Sequence, residues 1–209
     1  RGLFANLQKG VRYYLAVKVG LILTMLVPAV IGVLPPFTPI MIILLELFMD
    51  LAASTAFVIE RPESDLMERP PRRPGAPFLD AEMRRGIVVG GGLLAVTVLL
   101  AAWLGARDGG AGSAVYRTSA FTAWMIGHTA LALSFRTWRA PLRQVGLFSN
   151  RVLNLWALGA LAVALLANVV PWVQTALGTA ALPPDRWLLI IIAVVLIPGI
   201  GGRLARSRT

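Results

Sequence analysis

IMIILLELFMDLAASTAFVI, residues 40–59, is an apolar run long enough to cross a membrane as a helix, yet it carries two carboxylates, Glu46 and Asp50, one helical turn apart. A charged side chain at the centre of a bilayer costs about 2.5–3.5 kcal/mol on insertion scales, so a pair at i, i+4 is not placed there for stability alone. No other acidic residue falls inside an expected span. Ser54 extends the same stripe by another i+4 step and Thr55 lies beside it, giving an oxygen-rich strip on an apolar helix, the ligand type that hard cations and protons take. The plainer alternative is that a neighbouring helix merely neutralises the two carboxylates.

The composition around this run sets the solvent. Of 209 residues, 57% are hydrophobic and 14% charged, with mean hydropathy +0.73. Several apolar runs approach the roughly 20 residues that span a ~30 Å hydrocarbon core, which predicts an all-α integral membrane protein with a single transmembrane domain. Six spans are expected: 13–34, 39–59, 86–105, 115–135, 152–172 and 187–200, the last one short. The first two form a tight hairpin closed at Pro35-Pro36, and the proline-rich, charged stretch 60–85 reads as an extended or turning connector. Residues 2–14 carry Leu3, Leu7, Val11 and Tyr14 at helical spacing, which predicts an amphipathic helix running straight into the first span.

Charge gives the orientation. With both termini inside, the inner segments hold sixteen lysines and arginines, against Arg107, Arg117 and Arg186 outside. These short basic clusters between apolar runs account for the net charge of +10 as topology determinants, and no nucleic-acid reading module accompanies them. The absence of cysteine excludes disulfides and thiolate metal sites, and a single histidine, His128, cannot build a multi-histidine centre.

Lys18 is the one basic residue well inside a span, on the hairpin partner of the acidic helix. At roughly 1.5 Å per residue it sits about 8 Å in from the inner surface and Asp50 about 14 Å, a gap that a long lysine side chain can close. It either reaches up to the carboxylates or snorkels down to the interface. His128 and Thr129 offer polar groups in the fourth span, where hydrogen-bonded packing competes with a transport role. Asn168 reads as interhelical glue, and Gly90-Gly91-Gly92 as a close helix contact in place of a phosphate loop, since it follows no strand and no Lys-Ser/Thr follows it. Trp103, Trp138, Trp156, Trp172 and Trp187 fall mostly near expected span ends, as interfacial anchors do.

Two stretches carry a resemblance. RGLFANLQKGVRYYLAVKVG is similar to the stalk and start of the fifth membrane helix of P-type cation-transporting ATPases, and LLELFMDLAASTAFVIERPESDLMERPPR resembles their sixth helix and the loop after it. The loop pattern is matched by Glu63, Asp65, Met67, Pro70, Pro71 and Arg72, and the remaining spans would be the seventh to tenth helices. The resemblance implies that Glu46 and Asp50 are ion-binding and that Lys18 is a built-in counter-cation; Ser54, Thr55 and His128 are candidate secondary polar contacts by their own chemistry. It also implies that the first helix couples a cytoplasmic body to the ion site. The calcium-pump ligand positions on the fifth helix fall on Lys18 and Leu21, and those on the sixth on Glu46 and Met49, a departure that points to a proton or monovalent cation. The proline expected after the sixth-helix Asp is Ala53, so a less unwound helix is expected there.

The family's phosphorylation motif D-K-T-G-T and hinge motif G-D-G-x-N-D do not occur in these residues. ATP and Mg2+ are therefore implied for a longer protein, of which this chain, beginning at Arg1, is expected to be a C-terminal piece in the plasma membrane. Its expected partners are the transported cation, the bilayer and the preceding part of the same polypeptide, with no nucleic acid and no cofactor in the piece itself. The alternative is a self-contained six-span channel or secondary transporter that uses the same carboxylate pair.

Overall fold

A computed structural model describes residues 1–61, 75, 77–137, 146 and 148–194. The expected loop residues Glu63, Asp65, Met67, Pro70, Pro71 and Arg72, with Trp138 and the end of the sixth span, lie outside the described residues. Every described element is helical: α1 (Gly2–Val30), α2 (the continuous rod Pro39–Ile59), α3 (Ala81–Gly109), α4 (Ala114–Ser134), α5 (Arg151–Val169), α6 (Pro171–Leu177) and α7 (184–194). Four of them, α1, α2, α3 and α5, are long and apolar enough to cross a membrane. The expected fourth span is the 21-residue helix α4, whose apolar run is interrupted by hydroxyls, Arg117 and His128, and most of its residues are buried between neighbours.

Local chemistry moves several boundaries. α1 runs unbroken from Gly2, but it stops at Val30 instead of Leu34 because Gly32 turns into the left-handed region at φ +76. α3 begins at Ala81, five residues before the expected Gly86, because the Asp80 side chain accepts the Met83 N–H and caps the helix inside the expected connector. At its other end α3 extends to Gly109, where Gly110 at φ +82 ends it. The expected span 152–172 breaks at Val170, and Pro171, which has no N–H to donate, starts the separate helix α6.

The packing follows a ring. α1 lies against α3, α3 against α4, α4 against α5, and α5 against the Leu51–Ala56 part of α2, which returns to α1. Tyr13, Phe57, Phe121 and Trp124 fill the interior without exposure. The outward faces show Ile22, Leu26, Leu47, Val88, Val96, Leu155, Leu158 and Leu165. So much apolar surface facing outward on helices of this length makes the chain an integral membrane protein. Asn168 does bind across helices, donating to Thr122 Oγ1 at 3.0 Å.

The triple glycine is a contact. A Cβ on Gly91 would run into the Ala16 carbonyl oxygen and approach Val19 Cβ at 2.8 Å, and one on Gly90 would meet the Phe135 ring at 2.9 Å. Gly92, by contrast, faces open space. Gly91→Ala is therefore expected to destabilise by about 1–3 kcal/mol through forced separation of α1 and α3. Gly92→Ala should be neutral or stabilise by up to about 1 kcal/mol. Thermal unfolding of the two variants in detergent measures the difference, and equal effects would contradict this packing.

Candidate functional site

The site forms where α1 crosses α2. Gly10 allows the approach, since a Cβ there would stand 3.2 Å from the Ser54 carbonyl oxygen and 3.5 Å from Phe57 Cβ. One and two turns further along α1, Tyr14 and Lys18 at i, i+4 share the face turned to α2. The Lys18 ammonium lies 4.7 Å from the centre of the Tyr14 ring, a cation–π contact that helps hold the side chain along the seam.

On α2 the two carboxylates occupy a π-helical segment, Leu44–Asp50, between the α-helical turns Pro39–Ile43 and Leu51–Ala56. The helix is not interrupted, in keeping with Ala53 in place of proline, but its hydrogen bonding is rearranged to the wider i→i+5 pattern where the carboxylates project. Such segments collect at functional sites.

Lys18 Nζ donates to Glu46 Oε2 and, at 3.0 Å, to Asp50 Oδ2. Burial is graded along the three: the Asp50 side chain is 0% exposed, Lys18 19% and Glu46 37%. Asp50 is thus the floor, Lys18 the bridge and Glu46 the rim. The formal charges leave the cluster at one net negative charge. Asp50 Oδ1 is buried and has no hydrogen-bond partner among the described residues, so it is the open acceptor of the site. Among the described residues, no three His, Cys, Asp or Glu side chains converge as a metal cage would need.

The other expected contacts lie apart from this cluster. Ser54 Oγ donates to the Asp50 backbone carbonyl at 2.7 Å, and Thr55 Oγ1 to the Ala52 carbonyl at 2.8 Å. Both line an apolar groove of about 300 Å³ that follows the α1/α2 seam toward the α1 N-terminus. His128 is fully buried on α4, with Nδ1 3.1 Å from the Trp124 carbonyl oxygen and its ring 5.0 Å from that of Trp156. The structure therefore joins Glu46, Asp50 and Lys18, places Ser54 and Thr55 one turn below, and encloses His128 in aromatic rings. Tyr14, expected only as part of the amphipathic face of residues 2–14, joins the cluster through its ring. Its i, i+4 spacing from Lys18 is the sequence signal for that contact.

Known proteins match along most of this length. The chain is 29% identical over 196 residues to a calcium-transporting ATPase of Bacillus subtilis, covering 91% of the chain and 21% of that relative. Identity is also 29% over 199 residues to a Mycobacterium tuberculosis protein described as "Probable cation-transporting ATPase F", covering 94% of the chain and 22% of that relative. A calcium-transporting ATPase of Schizosaccharomyces pombe is 22% identical over 161 residues, 77% of the chain and 18% of the relative. The chain thus spans about a fifth of the length of these relatives. Residues 34–203 match the family model described as "Cation transporting ATPase, C-terminus", and the chain belongs to that family.

Proposed function

We propose that these residues form the C-terminal membrane part of an ATP-driven P-type cation pump, with both termini cytoplasmic and the plasma membrane as its site. In this reading α1 is the stalk that carries cytoplasmic movement to the ion site. ATP and Mg2+ act in the preceding part of the polypeptide, and Glu46 and Asp50 receive the cation. The observation that carries the reading is the Lys18 ammonium bound between the only two carboxylates of the expected spans.

That arrangement favours a proton or a monovalent cation. One net negative charge accepts one positive charge before the cluster becomes cationic, whereas a divalent ion would face the ammonium directly. Calcium takes 6–8 oxygen ligands, and Lys18 already engages one oxygen of each carboxylate. A proton on Asp50 Oδ1 brings the cluster to neutrality in its buried position. On release, Lys18 pairs with the carboxylate left behind. Calcium is the second reading, favoured by the names of the Bacillus subtilis and Schizosaccharomyces pombe relatives, and it requires Lys18 to swing clear of both carboxylates.

In the complete protein, phosphoenzyme formation from ATP should depend on a cation, and Asp50→Asn should weaken its apparent affinity about tenfold or more. That is the scale of one lost charge-assisted hydrogen bond, ~1.5–3 kcal/mol. Glu46→Gln, at the rim, should have the smaller effect. Titrations with H+, Na+, K+ and Ca2+ provide the measurement, and unchanged affinity in Asp50→Asn would contradict the site. The isolated 209 residues should hydrolyse no ATP. Measurable hydrolysis by them would contradict the division of labour.

A further inference from the structure

A second buried polar cluster ties the ends of four elements together, away from the carboxylate site. Glu60, directly after α2, receives Arg136 in a bidentate pair, Nε to Oε2 at 3.0 Å and Nη2 to Oε1 at 2.9 Å, with neither side chain exposed. Asn150 caps α5 by accepting the Leu153 N–H, and its amide donates to Glu60 Oε2 and to the Ala56 carbonyl, both at 2.9 Å. From α1, the buried Asn6 donates to the Glu60 carbonyl at 2.6 Å and to the Val58 carbonyl at 3.2 Å. These are carbonyls that a helix end leaves without intrahelical partners.

The geometry gives this cluster a task. Asn6 lies twelve residues before Lys18 on α1, and Glu60 ten residues after Asp50 along α2. At roughly 1.5 Å per residue, both arms of the Lys18–carboxylate pair are pinned to one another about 15–18 Å from the charges they bring together. Arg136 and Asn150 fix that pin to α4 and α5. A buried ion pair is weak evidence for stability, because apolar packing often replaces it at no loss; in some proteins it is kept because it fixes one geometry. Register between α1 and α2 decides whether Lys18 Nζ meets both carboxylates, since a shift of one residue moves it by roughly 1.5 Å along the seam.

We propose that Asn6 and Glu60, held by Arg136 and Asn150, form a positioning clamp that sets the register of Lys18 against Glu46 and Asp50. This rests on the pump reading. The clamp acts on the cation site through Lys18, so its loss is felt only while Lys18 is present.

The test is a double-mutant cycle in the complete protein, read as apparent affinity for whichever of H+, Na+, K+ and Ca2+ stimulates phosphoenzyme formation in the wild type. Asn6→Asp keeps the size and removes both donors, and Asn6→Ala provides a second variant that leaves the Glu60–Arg136 pair untouched. Each is expected to shift apparent cation affinity about fivefold or more while the maximal phosphoenzyme level stays within about twofold. In a Lys18→Ala background the same substitutions should add nothing. An equal shift in both backgrounds, no shift in either, or a loss of maximal phosphoenzyme without a shift in affinity overturns the clamp. A wild type without cation-stimulated phosphoenzyme overturns the pump reading and the clamp together.

Discussion

A carboxylate buried completely inside an apolar helix must have its charge met, and at Asp50 this is done by Lys18 from the neighbouring helix. Removing one partner of such a pair leaves an uncompensated buried charge, at a cost of about 3–5 kcal/mol. The crossing of α1 and α2 is therefore fixed by electrostatics as well as by packing. Gly10 lets the two backbones approach, and Tyr14 holds the lysine along the seam. The π-helical winding of Leu44–Asp50 alters the backbone where the carboxylates project. Behind α1, Gly91 allows α3 to come closer still, so the helix bearing Lys18 is gripped on both sides.

The ring of helices has two kinds of cement. Apolar side chains fill the interior and cover the outside, but they discriminate little between one helix rotation and another in a lipid solvent. Polar bonds at the two ends add to the specificity of the Lys18 contact. At one end Tyr116 donates to the Leu34 carbonyl at 2.8 Å, and Arg186 pairs with Asp108 at 2.8 Å. At the other stands the Glu60 cluster. The Lys18–carboxylate cluster lies between these two sets of bonds, on α1 and α2.

Much of this was legible in the sequence, for physical reasons that differ from residue to residue. Apolar runs announce helices because no other backbone form satisfies its hydrogen bonds in lipid. A charge inside such a run is expensive, so Glu46, Asp50 and Lys18 stood out against the apolar background. Helix ends were less legible: Gly32 and Asp80 decide them through turn and cap chemistry that overrides the apolar pattern. Glu60 and Arg136 were hidden for another reason, since each sits at the edge of a charged segment where a solvated role is the ordinary one. Only the fold shows that they turn inward to the same point. The π-helical winding has no marker in the residues that distinguishes it from α-helix.

The claim on which the rest depends is that Lys18 supplies a permanent positive charge to the ion site. The most direct measurement is transport by the complete protein reconstituted in sealed vesicles, wild type against Lys18→Ala, with calcium buffered by chelator and then restored to micromolar levels. The account predicts ATP-driven movement of a proton or monovalent cation without calcium, and altered selectivity once Lys18 is lost. Transport that requires micromolar calcium and is indifferent to Lys18→Ala would contradict it.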